Sequence, residues 1–285
     1  MTPQFWYMLP VGVVTSALAT ASGIGGATFF APLFVLVLSF APQVAIGAAL
    51  IAEVFGFASG LYSYARKGVI DYWLGAALLV ATIPMALVGA WLSGRIDPDT
   101  VKAILGAGLL AVAVNALRAP APKTVQELNH AIREQHSTRK GQTCLKTSRG
   151  EEICYTVCNR TEGLLIAAAG ALFKGMVGTG LGELDEHFLL ERCHVPSTVS
   201  VATGVYVLLL TSSAAAAGHL VHFVHASGVV MDSVLSLLVF TIPGVLLGGQ
   251  LGAWIAGVLP KRAFDRALHV ILLLAASLVL VEVAI

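Results

Sequence analysis

Two glycine clusters lie about 155 residues apart, Ser22-Gly23-Ile24-Gly25-Gly26 and Val177-Gly178-Thr179-Gly180-Leu181-Gly182, each within an apolar stretch long enough to reach the middle of a membrane. Glycine holds a helix poorly and lets backbone approach a ligand closely. Paired clusters deep in two hydrophobic segments therefore predict two broken helices, the arrangement that builds midplane binding sites in transporters.

The rest of the chain agrees with a membrane setting. Apolar residues make up 57% of it and charged residues 12%. Apolar runs extend over Met8 to Leu38, Val44 to Ala65, Tyr72 to Gly94, Ala103 to Leu117, Gly163 to Leu190, Ser197 to Gly218, Ser233 to Leu259 and Ala267 to Ile285. Most reach the roughly 20 residues that a helix needs to cross about 30 Å of hydrocarbon. The first run has no basic residues ahead of it and continues through glycines and Pro32, so it reads as mature structure, not a signal peptide. A net charge of +1 without a basic stripe argues against a nucleic-acid partner.

The likeness between the halves extends beyond the glycines. Pro42 matches Pro196, Gly68-Val69-Ile70-Asp71 matches Gly228-Val229-Val230-Met231-Asp232, Ile83-Pro84 matches Ile242-Pro243, and Gly89-Ala90 matches Gly248-Gly249. The order is the same in both halves, which predicts a duplication: a first membrane repeat over 1–117 and a second over 163–285. The polar connector between them, 118–162, opens with Ala119-Pro120-Ala121-Pro122. Its Thr143 to Tyr155 portion alternates around Ser148-Arg149-Gly150, which predicts a small β-hairpin.

Charge placement selects a topology. With every run spanning the membrane, the basic residues outside the membrane divide 10 against six. With each glycine-broken segment entering and returning on one side, they divide 14 against two, the two being Arg95 and Lys102. The positive-inside rule favours the second arrangement, with the connector in the cytoplasm, three crossings per half and inverted repeats. Making only the second segment re-entrant gives the same count, because the first ten residues carry no charge. Re-entrant backbone is tolerated only within protein or beside a water-filled cavity, so the two tips are expected to meet near the midplane. Half-helix N-termini aimed at a common point form an anion site.

These residues resemble the TauE/SafE family of sulfite and organosulfonate permeases. The resemblance rests on Ser22-Gly23-Ile24-Gly25-Gly26 followed by Pro32, on Tyr64-Ala65-Arg66-Lys67-Gly68-Val69-Ile70-Asp71 with Trp73, on the second glycine run, and on the repeated Pro and Gly-Gly positions of the third helix in each half. It covers nearly the whole chain apart from the connector. It implies transport of small anions, often sulfur oxyanions, across the cytoplasmic (inner) membrane. The second run departs from the family's usual Gly-Gly-Gly and proline, reading Gly180-Leu181-Gly182-Glu183-Leu184-Asp185-Glu186-His187.

The candidate substrate site comprises Ser22, Gly23, Gly25, Gly26 and Thr28 from the first run and Lys174, Gly178, Thr179, Gly180 and Gly182 from the second. An ammonium inside a membrane segment, such as Lys174, is an electrostatic anchor for an anion or the partner of Glu183 or another carboxylate. Glu53, with no other charge near it in sequence, is a proton-coupling candidate or a carboxyl bonded to a neighbouring helix. Glu183 is the second coupling candidate. Glu183, His187 and Glu191 share one helical face and could instead ligate a divalent cation, although the outer members also suit a solvated cytoplasmic mouth.

His219, His222 and His225 repeat every three residues, but no local Cys or carboxylate completes a zinc set, and a structural or interfacial role fits them better. Cys144, Cys154, Cys158 and Cys193 lack a Cys-x-x-Cys pair, and a cytoplasmic connector argues against stable disulfides. No metalloprotease, nucleophile-elbow or P-loop motif is present, and the glycine runs interrupt membrane helices, unlike a dinucleotide fingerprint. Neither an enzyme nor a cofactor is expected.

The sequence thus predicts an all-α polytopic membrane protein of two inverted repeats that moves a small anion, sulfite or an organosulfonate, outward by alternating access, with H⁺ as a candidate co-substrate. Outward movement needs little coupling, because an anion leaving a negative-inside cell gains about 2.3 kcal/mol per charge per 100 mV. The alternatives are a divalent-cation carrier and a membrane sensor or scaffold acting through the connector. Gly248 and Gly252 have the spacing for close helix contact, including a homodimer.

Overall fold

The computed structural model describes residues 5–22, 24–118, 143–148, 150, 152–155, 160–180, 189, 195–225, 228–255 and 261–284. Helices α1 (Met8–Ser22), α2 (Ala27–Leu36), α3 (Pro42–Lys67), α4 (Tyr72–Ser93) and α5 (Pro98–Arg118) precede a hairpin of β1 (Thr143–Lys146) and β2 (Glu152–Tyr155). Helices α6 (Arg160–Val177), α7 (Ser197–His225), α8 (Gly228–Ile255) and α9 (Lys261–Ala284) follow it.

Among the described residues, α3, α4, Thr198–Val221 of α7 and Val230–Gly252 of α8 are long and apolar enough to cross a membrane. Their outward faces carry Val80, Leu87, Val239 and Leu247, exposed apolar side chains suited to lipid. The chain is a polytopic all-α integral membrane protein. By contrast α1 has 15 residues and α2 has 10, about 22 Å and 15 Å of helix, so neither spans alone.

Local chemistry sets the helix ends. Pro42 starts α3, where its missing N–H costs nothing, and Gly68 ends it in the left-handed region at φ 68° behind Arg66 and Lys67. Asp71 caps α4 by accepting from the N–H groups of Trp73 and Leu74 at 3.0 and 2.9 Å. Its counterpart Asp232 lies inside α8, which begins at Gly228.

The Phe5 and Phe40 rings are 6.1 Å apart, so the chain leaves the α1–α2 pair at the end of the bundle where it entered. Gln43 Nε2 donates to the Ile96 carbonyl at 3.3 Å and brings the α4–α5 turn to that same end. The hairpin sits at the other end, where the Ser148 N–H donates to the Lys67 carbonyl at 3.0 Å and its hydroxyl to that of Arg66. Tyr155 packs there with Leu74, Leu189, Val195 and Val199. Its hydroxyl donates to Asp71 Oδ2 at 2.5 Å. Burial, that hydrogen bond and the Asp71 charge push the phenol well above its ordinary range.

The hairpin falls where the alternation predicts it, but the expectation of no disulfide is corrected. Antiparallel pairing sets Cys144 directly opposite Cys154 with Cα atoms 4.1 Å apart, and the two are joined.

Packing is reciprocal between the halves. Helix α1 lies along α8 while α6 lies along α4; α3 packs on α8 while α7 packs on α4; α3 meets α7, and α5 meets α9. Exchanging α1, α3, α4 and α5 for α6, α7, α8 and α9 leaves this scheme unchanged. Two seams are held by glycine. A Cβ at Gly175 would overlap the Ala86 carbonyl of α4, and one at Gly252 would lie 2.6 Å from the Ala17 carbonyl of α1. Gly248 meets Val13 and Ser16 of the same helix, so the Gly248/Gly252 spacing is occupied within the chain.

Candidate functional site

The α1–α2 break carries its backbone against a buried ion pair. Lys174 Nζ lies 2.6 Å from Glu53 Oε1 and 2.9 Å from Oε2, with both side chains about 1% exposed. Glu53 comes from α3 and Lys174 from the last turn of α6. The same carboxylate accepts the Ala27 N–H at 2.5 Å, the first of α2, and the Ser212 hydroxyl of α7 at 3.1 Å. Four chain segments therefore converge on one carboxylate. Lys174 is thus the partner of a carboxylate, and that carboxylate is Glu53.

Glycine at 25 leaves room for this approach. A Cβ there would sit 2.8 Å from Lys174 Nζ and 3.5 Å from Glu53 Oε1, and one at Gly26 would meet the Glu53 methylenes at 3.6 Å. The second break needs glycine for a different reason. Gly178 and Gly180 have φ of 84° and 108°, conformations that side chains with a Cβ rarely adopt. Gly178 closes α6 by donating to the Lys174 carbonyl at 2.9 Å, and a Cβ on it would touch Ala27 at 3.4 Å. The two breaks meet across this contact.

Thr28, the second residue of α2, is fully buried and its hydroxyl has no hydrogen-bond partner among the described residues. Thr179 is buried, but its hydroxyl oxygen lies against Gly108 of α5, 3.1 Å from where a Cβ would be. Of the other sequence candidates, Gly23, Gly182, Glu183, His187 and Glu191 and the side chain of Ser22 lie outside the described residues, as do Cys158, Cys193 and the side chains of His222 and His225. His219 is buried, with Nε2 2.8 Å from the Gly175 carbonyl oxygen, next to Lys174 in sequence. Among the described residues, no group of three or more His, Cys, Asp or Glu side chains could hold a metal.

Ser212 and the Ala27 N–H escape a reading of the sequence. A serine in an apolar helix looks like any small packing residue, and a backbone donor leaves no mark in the sequence beyond the preceding glycines. The Thr211 hydroxyl beside Ser212, which donates to Thr82 at 2.8 Å, shows that this turn of α7 is polar.

A model of the sulfite exporter TauE/SafE family matches residues 8–279. The chain belongs to the TauE/SafE family. It is also similar to the probable membrane transporter protein YunE of Bacillus subtilis (strain 168), 22% identical over 278 residues that cover 95% of each chain. No solved structure matches it. Membership of TauE/SafE and this likeness make the chain a membrane transporter, so the Glu53–Lys174 cluster between the glycine breaks is a buried ionic centre in a transport protein.

Proposed function

We propose that this TauE/SafE protein moves a small anion, sulfite or an organosulfonate, outward across the cytoplasmic membrane by alternating access. The observation that carries the reading is a buried ammonium, Lys174, that shares the Glu53 carboxylate with the first N–H of α2 between two glycine breaks. Buried charge is costly in a membrane protein and marks substrate or ion pathways. An ammonium together with a helix N-terminus selects for negative charge. The Thr28 hydroxyl, without a partner among the described residues, adds a donor on the same helix terminus.

In this reading the repeats are inverted and the connector lies in the cytoplasm, an orientation that the 14-to-two charge division supports. Any net negative charge carried outward then gains about 2.3 kcal/mol per charge per 100 mV from the membrane potential. The test is flux in proteoliposomes at imposed potentials, with sulfite, sulfoacetate and chloride as separate substrates. Efflux of sulfite or sulfoacetate that stops in Lys174→Met supports the reading. Equal flux in wild type and Lys174→Met overturns it.

A further inference from the structure

Resting on the anion-transport reading, we infer that Glu53 is a tethered competitor for the anion seat, so that each substrate anion enters with one proton taken up by Glu53. The donors expected to hold a substrate are already engaged. The Ala27 N–H at the head of α2 donates to Glu53 Oε2 at 2.5 Å, and Lys174 Nζ lies within 2.9 Å of both carboxylate oxygens. The Ser212 hydroxyl donates to Oε1 at 3.1 Å. An intramolecular carboxylate occupies the place that an oxyanion would take.

Charge decides what must happen when a substrate arrives. The cluster is neutral as built, one carboxylate against one ammonium. Adding a monovalent anion alone would leave a net negative charge in a site about 1% exposed, and unpaired buried charge is strongly unfavourable. Protonating Glu53 restores neutrality. It converts an acceptor for three donors into a group that can itself donate, freeing Lys174 and the Ala27 N–H for the substrate. The balance is simple: anion and proton enter together, no bond to the substrate is made, and both leave on the other side. A monovalent anion then crosses without net charge and a dianion with one.

Among the described residues of the helices packed around it, no other group takes this part. Helices α1 and α2 carry no ionisable residue, α8 carries only Asp232, which is exposed, and α5 carries Asp99 and Lys102 at its start and Arg118 at its end, with Lys102 paired to Glu282. On α6 the ionisable residues besides Lys174 are Arg160 and Glu162 in its first turn. On α7, His219 is engaged with the Gly175 carbonyl.

Isothermal titration of the purified full chain with methanesulfonate, a monovalent anion that does not titrate near neutral pH, run in two buffers of different ionisation enthalpy, counts the protons. Wild type is expected to take up about one proton per anion, and Glu53→Gln to bind on the order of tenfold tighter with none. Ser212→Ala, a milder change that loosens the carboxylate, should tighten binding and keep the proton, and so should test the idea if Glu53→Gln does not fold. His219→Gln should also keep the proton. Binding by wild type without proton uptake, or uptake that persists in Glu53→Gln, overturns the competitor and leaves anion transport standing. If wild type binds neither methanesulfonate nor sulfite, the anion reading itself falls.

Discussion

Replacing Lys174 with Met isolates what the buried ion pair contributes. The substitution keeps most of the side-chain volume but leaves Glu53 about 1% exposed and without its counter-charge. Removing one partner of a buried pair costs about 3–5 kcal/mol, because the remaining charge is uncompensated. The Ala27 N–H and the Ser212 hydroxyl still reach the carboxylate, which puts the loss at the lower end, about 3 kcal/mol. For a chain of this size that corresponds to a fall of roughly 6–12 °C in apparent Tm, read by scanning fluorimetry in detergent. Combining Lys174→Met with Glu53→Gln removes the stranded charge, and most of the lost stability should return. A double variant as unstable as Lys174→Met alone would refute the reasoning, since the loss would then come from packing.

Gly25→Ala places a methyl 2.8 Å from the flexible end of Lys174, so the fold should survive while methanesulfonate binding weakens at least several-fold by titration. Tyr155 is held protonated in the folded chain, so its contribution to hairpin docking is fully present below its ordinary value of about 10 and is lost as pH rises beyond that; hydrogen exchange of residues 143–155 should stay constant from pH 7 to 9 after correction for intrinsic rates, and Tyr155→Phe should accelerate it at every pH. In the proposed orientation the connector lies in the cytoplasm, where exposed disulfides are reduced. Cys144 and Cys154 should therefore react with an impermeant maleimide only after cells are permeabilised, and labelling of reduced intact cells would reverse the orientation. Finally, Gly108→Cys with Thr179→Cys, a pair whose side chains meet between α5 and the second break, should stop flux when oxidised and restore it on reduction.

Much of this architecture is legible in the sequence because it is encoded locally. Glycine clusters inside apolar runs break helices wherever they occur, and alternation around Ser148-Arg149-Gly150 builds a hairpin from neighbouring residues. Even the disulfide left a signal, since Cys144 and Cys154 are equally distant from Arg149 and a hairpin turning there must pair them. Glu53 and Lys174 each stand out as charges in apolar helices, yet 121 residues separate them, and nothing local says that they meet. The contribution of Ser212 depends on the same long-range packing. Thr179 looks equivalent to the other residues of its glycine run, but two positive-φ glycines flank it, and its hydroxyl lies against α5.

The packing also changes what alternating access can mean here. Rocking one sequence half against the other would have to separate α1 from α8 and α4 from α6, the seams where Gly252 and Gly175 bring backbone against backbone. Close-packed seams of this kind switch between discrete arrangements poorly, because separating them forfeits many contacts at once. Helices α5 and α9 stand differently. They pack chiefly on each other, tied by Lys102 and Glu282 at 2.9 Å, and meet the remaining bundle through smaller contacts with α2, α3 and α6. Thr179 against Gly108 lies on that boundary, close in sequence to the Lys174 end of the ion pair. Displacing the α5–α9 pair would leave the glycine seams intact, so in the proposed alternating-access cycle that pair, and not a whole sequence half, is the element expected to move.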